Sequence, residues 1–78
     1  MIIQVVGTGC KSCKKLLKNV EAAKKALDMD IDIEYVTEMD AIMNTGVVNT
    51  PGLVVDGKII SSGQVLTQDD IIKIIKRN

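Results

Sequence analysis

Histidine, phenylalanine and tryptophan are absent from the 78 residues of this chain, and Tyr35 is its only aromatic residue. Ten basic and ten acidic residues leave a formal net charge of zero at pH 7. Proteins that bind nucleic acid usually carry an excess of basic residues or aromatic side chains on which bases stack. The composition therefore predicts no nucleic-acid partner. A cluster of five lysines is assigned to the solvent face of a helix: Lys14, Lys15, Lys18, Lys24 and Lys25.

Long apolar runs are also missing. No stretch approaches the roughly 20 apolar residues that a helix needs to span a membrane. The N-terminal segment MIIQVV lacks a charged n-region and therefore does not resemble a signal peptide. We therefore expect a protein without membrane contact, located in the cytoplasm, where stable structural disulfides are uncommon. The two cysteines of the chain are accordingly candidates for chemistry.

Aliphatic residues, by contrast, are abundant, and apolar residues make up 46% of the chain. That content is sufficient for one core, so residues 1–78 are expected to form a single domain. The apolar run Ile2–Val6 predicts a buried strand, and helical spacing begins at Cys13 and continues to about Leu27. Residues 30–36 alternate acidic and apolar side chains, which predicts an edge strand parallel to the first.

The second half of the chain predicts a helix, a hairpin and a final helix. Residues 38–45 have helical spacing up to Gly46, a plausible stop, with apolar positions at Met39, Ile42 and Met43. The Asp56-Gly57 pair between apolar residues predicts a hairpin turn. Thr67 is the expected N-cap of the last helix. The resulting order of elements is β-α-β-α-β-β-α.

Cys10 and Cys13 form a CxxC pair whose two members occupy unequal positions. Cys10 falls where the glycine loop meets the first helix, and there the helix dipole and unpaired N–H groups should lower the pKa of its thiol. Cys13 lies on the apolar stripe of the helix and should be buried. Thiol–disulfide exchange needs this asymmetry, with Cys10 as the nucleophile and Cys13 as the resolving thiol.

The CxxC pair has three other interpretations. Both cysteines could be small buried hydrophobic residues. Two thiolates also suit a Cu(I) carrier, but that fold has a hairpin after its first helix and ends on a strand. A structural zinc site needs four ligands, which this chain could supply only by sharing its cysteines with a second copy.

The order of elements, the Cys10-Lys11-Ser12-Cys13 site and Thr50-Pro51 before the third strand together resemble the thioredoxin fold. The resemblance covers the whole chain and is closest to the small redox-active disulfide proteins of archaea and bacteria. It implies an α/β fold with a central four-stranded mixed sheet flanked by three helices. It also implies a cis bond before Pro51, and pairing of the Thr50 backbone with a substrate peptide.

The resemblance implies a protein-disulfide oxidoreductase, with Lys11, Ser12, Thr50 and Pro51 as substrate-binding residues. No metal and no organic cofactor are expected, because the electrons reside in the sulfurs of a redox-active Cys10–Cys13 pair. The expected partners are protein disulfides and an electron donor, either a reductase or a low-molecular-weight thiol, and we expect a monomer. Thioredoxins also carry an aromatic residue before the first cysteine, where this chain has Gly9, and a buried acid beneath the second, which this sequence lacks.

Overall fold

The structure is a computed structural model that describes residues 1–9 and 11–77. Within them lie seven elements in the predicted order: β1 (Ile2–Val6), α1 (Lys11–Leu27), β2 (Asp32–Val36), α2 (Met39–Thr45), β3 (Gly52–Val55), β4 (Lys58–Ser62) and α3 (Gln68–Arg77). None of the helices in these two ranges has both the length and the hydropathy needed to cross a membrane.

The four strands form one mixed sheet in the order β2-β1-β3-β4. β1 pairs in parallel with β2, as predicted, and antiparallel with β3, which is also antiparallel to β4. β2 is an edge strand, and its acidic residues Asp32 and Glu34 are exposed. The predicted α/β fold with a central mixed sheet and three helices is therefore confirmed.

The main core lies between one face of the sheet and helices α1 and α3. α1 contributes Leu16, Val20 and Ala23 at intervals of three and four residues, which place them on one side of the helix. α3 contributes Ile71 and Ile75 at an interval of four. Both helices consequently pack on the same face, where they cover Ile3, Val5, Leu53 and Val55 of the two central strands and Ile31.

The opposite face carries α2 and a smaller core of Val6, Ile42, Val47 and Val54. Ile42 is buried, but Met39 is 64% exposed and Met43 is 70% exposed. The helix predicted from the spacing of these three residues is confirmed, but only Ile42 is covered by the rest of the fold. A helix of seven residues makes about two turns, and the small aliphatic surface beneath it covers a single large side chain.

The predicted helix ends are confirmed by their hydrogen bonds. The Thr67 hydroxyl accepts a hydrogen bond from the Asp70 N–H at 3.2 Å, and the Asp70 carboxylate accepts one from the Thr67 N–H at 3.4 Å. This reciprocal pair is a capping box at the start of α3. At the end of α2, Gly46 has a φ of 84° and its N–H donates to the Met43 carbonyl, the conformation in which glycine ends helices.

Asp56 and Gly57 form the turn between β3 and β4, with φ values of 48° and 84°. Two successive positive φ values are those of a type I′ turn, which confirms the predicted hairpin. Asp56 also ties this turn to the start of β1. Its Oδ1 accepts a hydrogen bond from the Ile2 N–H at 2.8 Å, and its own N–H donates to the Ile2 carbonyl at 2.9 Å.

Asp56→Ala should therefore lower the free energy of unfolding by about 1–2 kcal/mol, because the Ile2 N–H loses its acceptor and alanine tolerates positive φ poorly. Asp56→Asn is the matched control, since asparagine keeps a side-chain oxygen and accepts this backbone conformation. Urea unfolding of both variants measures the difference. Equal midpoints for the alanine and asparagine variants would contradict this role of the carboxylate.

Candidate functional site

The loop after β1 leads from the C-terminal end of this central strand to α1. The Gly7 N–H donates to the Val36 carbonyl at 2.9 Å, so the pairing with β2 continues one residue beyond β1. Gly9 has a φ of 92°, which glycine adopts without steric cost. The chain then enters α1 at Lys11. Cys10, the predicted nucleophile, lies outside the described residues.

Cys13 occupies the first turn of α1 and is completely buried. Its side chain packs against Gly7 so closely that a Cβ on residue 7 would collide with the Cys13 Sγ and lie 2.9 Å from the Cys13 Cβ. The lack of a side chain at residue 7 is therefore what admits the sulfur to the end of β1. The burial of Cys13 agrees with the sequence analysis, whereas its chemical role stays a prediction.

Thr50 lies beside the same glycine. Its Cβ is 3.8 Å from the position that a Cβ on Gly7 would occupy. The Thr50–Pro51 peptide bond is cis, Pro51 is buried and Thr50 is exposed. The fold thus brings Cys13 and the Thr-Pro segment, which are far apart in the sequence, close to one backbone position at Gly7.

The segment before Pro51 is held by the end of β4. The Ser62 hydroxyl donates a hydrogen bond to the Asn49 carbonyl at 3.0 Å and accepts one from the Asn49 N–H at 3.1 Å. The Gly63 N–H donates to the Pro51 carbonyl at 2.8 Å. The sequence analysis missed these contacts between Ser62, Gly63 and the loop, because bonds between one side chain and a distant backbone leave no periodic signal.

Tyr35 also lies near the site, although the sequence analysis did not place it there. Its side chain packs against the main core, and its hydroxyl oxygen is 4.0 Å from the position that a Cβ on Gly9 would occupy. A phenol hydroxyl therefore lies near the loop that precedes Cys10, while no acidic residue among those described is buried. The sequence predicted the parallel pairing of these strands but not its register, which in the structure sets Tyr35 opposite Val5, two residues before Gly7.

The remaining predicted substrate-binding residues lie on the helix side of the site. Lys11 and Ser12 are the first two residues of α1, and both are exposed. Thr50, on the segment before β3, is exposed as well. Exposed candidate residues therefore lie both at the start of α1 and before β3. Their contacts with a substrate stay predictions.

Most protein metal sites need several ligating side chains in one place, which residues 1–9 and 11–77 do not supply. This part of the chain contains no group of three or more His, Cys, Asp or Glu residues placed to hold a metal ion. The Cu(I) alternative differs, because it needs only two thiolates and would use Cys10 together with Cys13.

The similarity of this chain to known proteins extends over nearly its whole length. Residues 1–76 match the family model described as a thioredoxin domain. A protein named thioredoxin from Methanothermobacter thermautotrophicus is 43% identical over 75 residues, which are 96% of this chain and 97% of that protein. A second thioredoxin, from Methanocaldococcus jannaschii, is 32% identical over 76 residues, which are 97% of this chain and 87% of that protein.

A solved structure described as that of a malarial protein superposes with a TM-score of 0.72 and covers 97% of this chain and 93% of its own. Its sequence identity is 16%, so this likeness concerns the fold alone. The family match and the two relatives confirm the resemblance that the element order, the CxxC pair and the Thr-Pro segment carry. The chain belongs to the thioredoxin domain family, a family of thiol–disulfide oxidoreductases.

Proposed function

We propose that this protein exchanges a dithiol for a disulfide with protein substrates through Cys10 and Cys13. The observation that carries this proposal is the position of Cys13, fully buried in the first turn of α1 and packed against Gly7, with Thr50 close to the same glycine. A buried thiol three residues after a cysteine at the start of a helix suits the sheltered member of an unequal pair.

In the first step the Cys10 thiolate attacks one sulfur of the substrate disulfide. A bond forms between Cys10 and that sulfur, the substrate S–S bond breaks, and the other substrate sulfur leaves as a thiolate and takes up a proton. Cys13 then loses its proton and attacks the Cys10 sulfur, which forms the Cys10–Cys13 disulfide and releases the second substrate thiol. The substrate gains two electrons and two protons, which the two protein thiols supply.

Burial of Cys13 gives the two cysteines different tasks. A sulfur without solvent exposure does not meet external disulfides, but it lies in the same helical turn as the start of α1, where the mixed disulfide would be held. Its attack is then intramolecular, and intramolecular attack is far faster than the reaction between separate molecules. This arrangement favours release of the substrate over accumulation of the mixed disulfide.

The substrate peptide, in this proposal, lies in an extended conformation beside Thr50 and pairs with its backbone. Pro51 shapes the floor of the groove, and Lys11 and Ser12 border it on the helix side. The two hydrogen bonds of Ser62 to Asn49 support this assignment, because they hold the Thr50 segment in place before a substrate arrives. A reductase or a low-molecular-weight thiol returns the electrons, and a monomer in the cytoplasm stays the prediction from the sequence.

Substitution of each cysteine separates the two steps. Cys10→Ser should abolish reduction of a peptide disulfide, because a serine hydroxyl does not replace a thiolate as the attacking group. Cys13→Ser should complete only the first step and accumulate a mixed disulfide, seen by mass spectrometry as an adduct of the expected peptide mass. The proposed mechanism is wrong if both variants turn over the peptide at the wild-type rate.

The metal-free protein should form a reversible Cys10–Cys13 disulfide in a series of thiol redox buffers. Half-oxidation is expected between about −270 and −120 mV, the range covered by proteins with this chemistry. Thiol trapping followed by mass measurement gives the fraction oxidised. If only intermolecular dimers or unreactive thiols form, exchange is excluded, and Cu(I) binding by the reduced pair becomes the function to measure.

Gly7→Ala should lower both the stability of the protein and the rate of peptide reduction. The added Cβ meets the Cys13 side chain, and an added methyl group in a packed site costs about 1–3 kcal/mol. Thr8→Ala is the control, because Thr8 is the exposed neighbour. Urea unfolding and peptide reduction measure the two effects.

A double-mutant cycle tests the contact itself even where the single variant folds poorly. Combining Gly7→Ala with Cys13→Ala should recover part of the lost stability, because the smaller side chain removes the collision with the sulfur. Strictly additive effects of the two substitutions would show that residue 7 and residue 13 do not press on each other.

A further inference from the structure

Charge is segregated in this protein although its formal net charge is zero. α1 contains one acidic residue, Glu21, and the six lysines Lys11, Lys14, Lys15, Lys18, Lys24 and Lys25. Residues 28–40 contain no basic residue and six acidic ones, which are Asp28, Asp30, Asp32, Glu34, Glu38 and Asp40. All six acidic residues are exposed. The neutral total therefore conceals a basic surface and an acidic surface on different parts of the fold.

Four of the lysines form a continuous strip that we name the lysine face: Lys11, Lys14, Lys15 and Lys18. All four are exposed, and together they line a shallow depression on the protein surface. Their spacing of three and four residues places them on one side of α1. Cys13, Leu16 and Val20 are buried on the opposite side of the helix.

The lysine face begins where the proposed chemistry takes place. Lys11 is the first residue of α1 and directly follows Cys10 in the sequence. From Lys11 to Lys18 the strip extends about 10 Å along the helix. A partner whose sulfur reaches the start of α1 must therefore present its neighbouring residues to a row of positive charges.

We propose that the lysine face docks an acidic segment next to the reactive disulfide or thiol of a partner protein. This proposal rests on the proposed function, which is what brings the partner's sulfur to the start of α1. Opposite charges accelerate such an encounter and orient the partner. The exposed acidic residues of β2, Asp32 and Glu34, would in turn disfavour the same partner at the edge of the sheet.

The geometry favours a protein segment over other anions. The four exposed lysines follow one helix for about 10 Å, a longer stretch than a single small anion can contact. A nucleic acid would meet a protein without net positive charge and without aromatic stacking platforms near the strip. Several carboxylates along an extended peptide match the length of the lysine face and carry the opposite charge.

The first test measures binding without any redox step. The probe is a peptide that contains serine in place of cysteine, flanked by three aspartates on each side. With isotope-labelled wild-type protein, the amide resonances of residues 11–18 should shift during titration, and the shifts should fall at high salt because exposed charges are screened. Peptides with serine or lysine flanks are the controls. No binding, or binding that maps to another surface, would overturn the proposal.

The second test uses two triple variants with the same loss of charge. Lys14→Gln/Lys15→Gln/Lys18→Gln removes most of the lysine face, and Lys58→Gln/Lys73→Gln/Lys76→Gln removes three exposed lysines elsewhere. Each protein reduces a disulfide peptide with aspartate flanks and one with serine flanks. At low salt the wild type and the control should prefer the acidic peptide about tenfold in second-order rate constant, while the face variant should lose that preference. Equal losses in both variants would mean that net charge alone matters, which contradicts docking at this face.

Two further measurements exclude other occupants of the lysine face. Salt-dependent self-association in sedimentation velocity, lost in the face variant, would assign the face to a second copy of the chain. Binding of a DNA oligonucleotide of equal charge as tightly as the acidic peptide would indicate general polyanion binding. Either result would overturn the proposed acidic protein partner.

Failure of this proposal is distinguishable from failure of the proposed function. A wild-type protein that reduces acidic and serine peptides at equal rates supports thiol–disulfide exchange and overturns docking. A wild-type protein that binds the cysteine-free acidic peptide through residues 11–18 but reduces neither disulfide supports docking and overturns exchange.

Discussion

The volume that a side chain would fill at Gly7 is occupied by the side chain of Cys13, and the Thr50 Cβ lies 3.8 Å from the position that a Cβ on Gly7 would take. Three parts of the fold meet there: the end of β1, the first turn of α1 and the segment that leads into β3. The hydrogen bond from the Gly7 N–H to the Val36 carbonyl fixes this backbone to the sheet. A single residue without a side chain thus sets the distance between the candidate redox site and the candidate substrate groove.

The two sides of α1 differ in burial and in charge. Cys13, Leu16, Val20 and Ala23 are buried on one side, so the sulfur is the first member of the stripe that packs the helix onto the sheet. The apolar contacts that stabilise the domain therefore also hold the candidate resolving thiol in place. The other side carries the exposed lysine face, which begins at the same helix end. Packing and charge are separated around the axis of the helix, so either can change without loss of the other.

Particular residues show how far sequence patterns reach. The Asp56-Gly57 pair predicted the turn between β3 and β4, and Thr67 predicted the N-cap of α3. Both features depend on the conformational preferences of a few neighbouring residues. Met39 and Met43 had the same helical spacing as Ile42, yet only Ile42 is buried. Spacing identifies which residues share a helix face, but the surface beneath the helix decides how many of them it covers.

The sequence by itself determined the order of the seven elements, the parallel pairing of β1 with β2 and the place of Cys13 on the buried stripe of α1. Each of these follows from local periodicity or from the handedness of connections between strands. Only the tertiary structure decided that Cys13 and Thr50 both lie close to Gly7, that Ser62 holds Asn49, and that the Tyr35 hydroxyl approaches Gly9. These are contacts between residues far apart in the chain, and their distances depend on how complete elements pack, which the spacing of residues within each element does not specify.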